Sequence, residues 1–214
     1  MSESVYLPDM AESSPRLRAR NVAPLVVLYD VDCPIERQEE NCIVLPQMAS
    51  TAFGDGTHPT TRLCAGAVDL LCRQHPGLSF LDVGTGTGVL ARIARARQAM
   101  HVIGTDIDSL ALEAARRNAA LDEHATEIAF TDLSPDYWGP HFDLIAANIL
   151  EGPLRKLGLA LAAGLKPGGR LLLSGFTPLQ TVSLRPFFSS LGLTYLSESH
   201  LEGWALLLFQ KRGK

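Results

Sequence analysis

Leu81-Asp82-Val83-Gly84-Thr85-Gly86-Thr87-Gly88 is a short apolar run that ends in three glycines spaced by two, and Asp106 ends the next apolar run, 22 residues after Gly84. Glycines at such a place let the backbone turn sharply from strand into helix and approach a ligand closely, because no Cβ blocks positive φ angles or the contact. An acid at the tip of a second parallel strand is placed to accept hydrogen bonds from a ribose diol. Strand, glycine turn, helix, strand and acid together predict a nucleoside-type ligand at the carboxyl edge of a parallel sheet.

Two ligand classes share this logic, and the details separate them. A dinucleotide fingerprint places its third glycine three residues after the second, where this chain has Val89. It also leaves helix N-terminal amides free for a pyrophosphate, whereas Asp82 sets a carboxylate two residues before the first glycine. A carboxylate suits the cationic amino-acid end of S-adenosylmethionine better than it suits a phosphate. Asp82, Gly84, Gly86, Gly88 and Asp106 are therefore expected to form an S-adenosylmethionine site. The plainer alternative is a glycine-rich turn without a ligand.

Composition narrows the partners. A chain of 214 residues with 46% hydrophobic content can bury a full core as one large domain or one domain with an extension. A net charge of −4 carries no electrostatic footprint for non-specific nucleic-acid binding, so a protein or small-molecule acceptor is favoured and nucleic acid is disfavoured. Cys33, Cys42, Cys64 and Cys72 form no C-x-x-C pair, and the N-terminus lacks a charged-then-apolar leader. Reduced thiols, no metal site and a cytoplasmic location are expected, with Cys64 and Cys72 packing on a helix. No apolar run is long enough to span a membrane.

Residues 1–50 hold five of the thirteen prolines, Pro8, Pro15, Pro24, Pro34 and Pro46, and an acidic group, Glu36, Glu39 and Glu40, that reads as a solvated face. They are expected to be an extension with short strands at Leu25–Tyr29 and Cys42–Leu45, and residues 51–214 the main domain. From Thr57 onward helices and strands alternate, which predicts a doubly wound, mostly parallel seven-stranded α/β sheet. Helices are expected at Thr61–Arg73, Gly88–Arg97, Ser109–Leu121, Pro153–Leu165 and Leu179–Leu191, with Ser109 a candidate cap. Strands are expected at Ser79–Val83, His101–Asp106, Thr126–Phe130, Asp143–Ala147, Arg170–Ser174, Leu193–Ser199 and Trp204–Gln210. Lys166-Pro167-Gly168-Gly169 reads as a helix stop, and Glu202-Gly203 as a turn that makes the last strand antiparallel.

The stretch Phe53-Gly54-Asp55-Gly56-Thr57-His58-Pro59-Thr60-Thr61-Arg62-Leu63, the glycine motif, Asp106-Ile107-Asp108, Ala147-Asn148-Ile149-Leu150 and Leu173-Ser174-Gly175 together resemble the PrmA family. These are class I S-adenosylmethionine-dependent methyltransferases with a Rossmann-like sheet that methylate amino groups of a large-subunit ribosomal protein. The resemblance covers about residues 50–212 and implies that Thr61, Gly84, Asp106 and Asn148 contact S-adenosylmethionine. It further implies that Thr57 and His58 belong to a loop closing over the methionine end. Two family positions differ: Asp55 stands where threonine is usual, and Thr85 where a cysteine is frequent. The family also carries a small substrate-binding domain upstream, where this chain has about 50 Pro-rich residues. A protein substrate other than the ribosomal one, recognised partly by residues 1–50, is the resulting expectation.

The residues themselves agree with different force. Thr61 opens a helix, where a hydroxyl and free amides meet a carboxylate, or else it is a plain cap. Asn148 ends an apolar strand at the ligand-binding edge of the sheet, placed to orient an amine against a methyl group. His58 is a candidate general base for a lysine that must lose its proton, against a shape-determining role in a loop closed by Pro59. The function expected is a protein N-methyltransferase acting on lysine or N-terminal amines. A nucleic-acid base methyltransferase would carry Asn-Pro-Pro-aromatic where this chain has Asn148-Ile149-Leu150-Glu151, and so lacks the stacking platform. A small-molecule methyltransferase, or a binding module that keeps the cofactor without turnover, would fit the same glycine loop and acid.

Overall fold

A computed structural model describes residues 20–31, 42–125, 127–139 and 141–213. Pro8, Pro15, Pro34, Cys33, Glu36, Glu39 and Glu40 lie outside the described residues. The chain opens with β1 (Arg20–Ala23), β2 (Val26–Asp30) and β3 (Ile43–Gln47), which form a small sheet of their own. Then follow α1 (Pro59–Gln74), β4 (Ser79–Val83), α2 (Val89–Ala96), β5 (His101–Thr105), α3 (Ser109–Ala119), β6 (Ile128–Thr131) and β7 (Phe142–Asn148). The chain closes with α4 (Glu151–Gly164), β8 (Leu165–Phe176), α5 (Pro178–Ser190), β9 (Leu193–Leu201) and β10 (Trp204–Lys211).

The seven strands from β4 onward make one sheet in the order β6-β5-β4-β7-β8-β10-β9, parallel except for β10. Side-chain alternation assigns its two faces. Phe80, Val102, Leu144 and Ala146 point into a core shared with α1, α2 and α3. Leu81, Val83, Ile145 and Ala147 point into a second core under α4 and α5. Each central strand thus buries both faces, which is why β4 reads as an unbroken buried run rather than an alternating one. The small sheet joins the first core through Val22, Val26, Leu28, Ile43 and Leu45. Apolar packing therefore runs continuously across residue 50. No helix among the described residues is long and apolar enough to cross a membrane.

Local chemistry moves several boundaries from where the sequence puts them. α1 begins at Pro59 rather than Thr61, because His58 is its N-cap and accepts from the Thr60 amide. Asp108, not Ser109, caps α3: Asp106 Oδ1 accepts from the Asp108 amide at 3.0 Å and holds it extended, and Asp108 in turn accepts from Leu110 N at 2.9 Å. Lys166-Pro167-Gly168-Gly169 does end α4, but it sits inside β8. Phe142 pairs with Leu165 and Leu144 with Arg170, so these four residues bulge out while pairing resumes. The final hairpin turns on Glu202 (φ 48°) and Gly203 (φ 81°), the two positive φ angles that a tight two-residue turn needs.

Candidate active site

The chain leaves β4, moves outward through β5 and β6, then returns to lay β7 along the other side of β4. That reversal opens a crevice outside the carboxyl ends of the strands, the usual ligand position in such sheets. A cavity of about 460 Å³ fills it, lined by Phe53, Val83, Gly84, Gly86, Asp106, Ile107, Asn148 and Ile149 among others. Its size suits a small molecule.

The glycine loop is shaped by the protein pressing on it. A Cβ at Gly86 would stand 2.2 Å from the Phe53 carbonyl oxygen, and one at Gly84 would stand 2.4 Å from the Ile149 side chain. Both glycines have positive φ, at 54° and 72°. Any side chain at either place would displace the neighbouring segment as well as strain the turn. The segment before α1 is in turn strapped to the loop, for Thr87 N donates to Phe53 O at 2.9 Å and Thr87 Oγ1 to Gly54 O at 2.7 Å.

Asp106 stands at the cavity edge with its carboxylate already oriented. Oδ2 accepts from the Gly86 amide at 3.0 Å while Oδ1 accepts from Asp108. Across the cavity, Asn148 ends β7 with its Oδ1 buried and without a hydrogen-bond partner among the described residues. Thr61 Oγ1, on the first turn of α1, is likewise buried and unpartnered. Buried polar groups left this way are costly, and Asn148 Oδ1, on the cavity wall, therefore invites a donor from a ligand.

The other expected site residues take different places. Asp82 does not line the cavity, which corrects the expectation that its carboxylate faces a ligand. It lies beneath the loop, 1% exposed, accepting from Thr85 Oγ1 at 2.7 Å. Burial, with a smaller push from the neighbouring Asp106 carboxylate, raises its pKa to about 7, against the opposing hydrogen bond from Thr85. Folding therefore retains a proton that the unfolded chain releases near the ordinary pKa of 3.8. Stability falls as pH rises from about 4 to 7 and levels off above. Asp82→Asn is expected to flatten that slope, by up to about 1 kcal/mol per pH unit, in urea unfolding followed from pH 5 to 8. An unchanged slope would show that Asp82 ionises freely in the fold.

Thr57, His58, Thr61 and Gly88 also stand outside the cavity lining. Thr57 donates its amide and hydroxyl to Asp55 Oδ1 at 2.9 and 2.5 Å. Although burial raises it, Asp55 is held below the ordinary carboxylate range by these bonds and by Arg20 at 3.2 Å. Asp55 therefore anchors the loop. Gly88, with φ 80°, is the N-cap of α2. His58 has Nδ1 committed to capping α1, and its ring lies between Phe53 (centroids 5.2 Å apart) and Trp204 (4.6 Å, edge-on). Of the two roles weighed for His58, candidate base and shape-determining loop residue, this arrangement fits the second. Trp204 had no signal in the sequence beyond following a turn, and Phe53 none beyond its place in the loop. Arg62 and Glu202 form an ion pair that ties the start of α1 to the last hairpin. Glu151, next to the strand end, is fully occupied by Arg155, Gln180 and Ser183, and joins α4 to α5.

This constellation of glycine loop, strand-end acid and strand-end asparagine coincides with a family match. The model of the ribosomal protein L11 methyltransferase (PrmA) family matches residues 23–212. The chain belongs to this family. The match starts inside the segment expected to be an extension, so β2 and β3 are within the PrmA pattern. The ribosomal protein L11 methyltransferase of Rhodopseudomonas palustris (strain BisB5) is 39% identical over 171 residues, covering 76% of this chain and 57% of that protein. The one from Ralstonia pickettii (strain 12J) is 40% identical over 152 residues, covering 71% and 49%. The chain thus spans about half the length of the curated relatives it matches. The solved ribosomal protein L11 methylase of Lactobacillus delbrueckii subsp. bulgaricus superposes with a TM-score of 0.79 at 26% identity, covering 91% of this chain and 99% of that one. Magnesium protoporphyrin IX methyltransferase from Synechocystis, solved with bound S-adenosylmethionine, shares the fold at 18% identity and a TM-score of 0.58, covering 76% and 86%. The fold is thus that of the class I methyltransferases.

Proposed function

We propose that this chain binds S-adenosylmethionine in the crevice beside β4, β5 and β7 and transfers its methyl group to an amino group of a protein. The observation that carries the reading is Asn148 Oδ1, a buried acceptor without a partner at the carboxyl end of β7. Membership of the PrmA family supports the same activity, and its named relatives favour a ribosomal protein as acceptor.

Each group has a task in this reading. Asp106, oriented by two backbone amides, accepts from a ribose diol. Bound S-adenosylmethionine supplies a methyl group on a positively charged sulfur, which keeps the C–S electron pair when the methyl leaves. Asn148 Oδ1 accepts a hydrogen bond from the uncharged acceptor amine and so aims its lone pair along the line of displacement. With His58 committed to its cap, orientation rather than an imidazole base is the chain's main contribution, and the amine sheds its proton to solvent. A separate groove lined by Leu150, Gly175, Thr177 and Trp204 begins two residues past Asn148, and in this reading an acceptor side chain approaches from that side. Asn148-Ile149-Leu150 offers no aromatic platform for a flipped base, so a protein acceptor is preferred to a nucleic acid.

Calorimetry is expected to show S-adenosylmethionine and its demethylated product binding, with no heat from nicotinamide dinucleotides. Labelled S-adenosylmethionine should then mark ribosomal protein L11 or another protein in a cell extract. Tight dinucleotide binding without a response to S-adenosylmethionine would overturn the ligand reading. Label confined to nucleic acid would overturn the acceptor reading.

A further inference from the structure

We propose that Asn118, a buried side chain of α3 that does not line the cavity, is a positioning residue that sets the roof of the cofactor crevice. Its carboxamide joins two segments that are distant in sequence. Nδ2 donates to the Thr87 carbonyl at 3.0 Å, and Oδ1 accepts from the Met48 amide at 2.9 Å. Asn118 is 1% exposed, so water does not compete for either bond.

The bonds matter because of what lies between them. The segment from Met48 to Gly54 leaves β3 and supplies Thr51, Ala52 and Phe53 to the cavity wall. At its far end Thr87 holds it directly, through Phe53 O and Gly54 O. At its near end Thr87 holds it through Asn118. The segment is therefore an arch with both feet on one residue of the glycine loop. Arg92 stiffens the near foot independently: its side chain is fully buried and Nη2 donates to Pro46 O at 2.6 Å. Losing the Asn118 bonds frees the foot of the arch without touching any group that meets a ligand.

Asparagine suits the place on donor count. One face of the carboxamide must donate to a carbonyl and the other must accept from an N–H. Aspartate offers no donor to the Thr87 carbonyl, and an aliphatic residue offers neither group.

The role rests on the cofactor reading, so the test carries one readout that depends on it and one that does not. Asn118→Ala and Met48→Pro remove the Met48 bond from its two sides, the second without altering α3. Val68→Ala, a core truncation in α1 away from the arch, controls for general loss of stability. Each of the first two is expected to weaken S-adenosylmethionine binding at least fivefold in calorimetry, with the KM for S-adenosylmethionine rising while kcat stays within about threefold. Val68→Ala should remain within twofold in affinity. In native-state hydrogen exchange of Asn118→Ala, the Thr87 amide should exchange at least tenfold faster relative to the amides of Leu81 and Val83. If the wild-type chain binds no S-adenosylmethionine, the functional reading fails and the exchange result alone decides the arch. Unchanged affinity in both variants, or unchanged Thr87 protection, would overturn the proposal.

Discussion

Asn148→Ala is expected to lower kcat for amine methylation by about 100-fold, the scale on which loss of alignment at a reacting atom acts, while S-adenosylmethionine affinity changes only a few-fold. The reason is the position of Oδ1. It is buried, unpartnered within the described chain and fixed at the end of a strand that packs Ala146 and Ala147 into opposite cores. The strand fixes the backbone that carries Oδ1, so a bond from the amine to Oδ1 constrains the direction of its lone pair. Alanine removes the acceptor and leaves the amine free to rotate away from the methyl carbon. Asn148→Asp should also be slow, because a carboxylate holds the amine in its charged, non-nucleophilic form. Single-turnover transfer of labelled methyl separates this step from product release. Turnover within twofold of wild type in Asn148→Ala would show that Asn148 does not orient the acceptor.

The sheet was legible because strand burial and strand sequence coincide. Ser79–Val83 and His101–Thr105 are short apolar runs between helical patterns, and a parallel sheet with both faces covered demands such runs. The place of Gly84, Gly86, Asp106 and Asn148 on one cavity wall was legible for a related reason. A ligand at a sheet edge needs its contacts at strand ends, and strand ends are where an apolar run stops.

Contacts between segments far apart in sequence left no local mark. His58 looks like a catalytic imidazole in a loop, yet Pro59 starts the helix, so the preceding residue must be its cap. Asp82 sits at the right sequence distance from the glycines to meet a ligand. Strand alternation nevertheless sends it to the face opposite Leu81 and Val83, under Thr85. The arch over the crevice depends on Thr87 and Asn118, each of which reads alone as an ordinary polar residue. The Pro-rich composition of residues 1–50 reads as an extension, because proline counts say nothing about the apolar residues between them. Val22, Val26, Leu28 and Leu45 reach the same core as α1.

Asp106→Ala is expected to weaken S-adenosylmethionine binding by about 2–3 kcal/mol, or roughly 30- to 150-fold, without unfolding the chain. Two losses combine in that figure. The carboxylate no longer accepts from the ribose hydroxyls, which lose their charge-assisted bonds. The Gly86 and Asp108 amides also lose their acceptor, so the glycine turn and the cap of α3 loosen together. Asp106→Asn separates the two losses. Its amide oxygen still accepts one bond, but its NH2 group faces a second amide N–H or a hydroxyl and carries no negative charge, so affinity should fall between wild type and alanine. Calorimetric titration gives the affinities, and thermal unfolding checks that the sheet persists, since β5 is held by its pairs with β4 and β6 rather than by this side chain. Wild-type affinity in Asp106→Ala would mean that the acid at the end of β5 serves the α3 cap alone and that the ribose lies elsewhere.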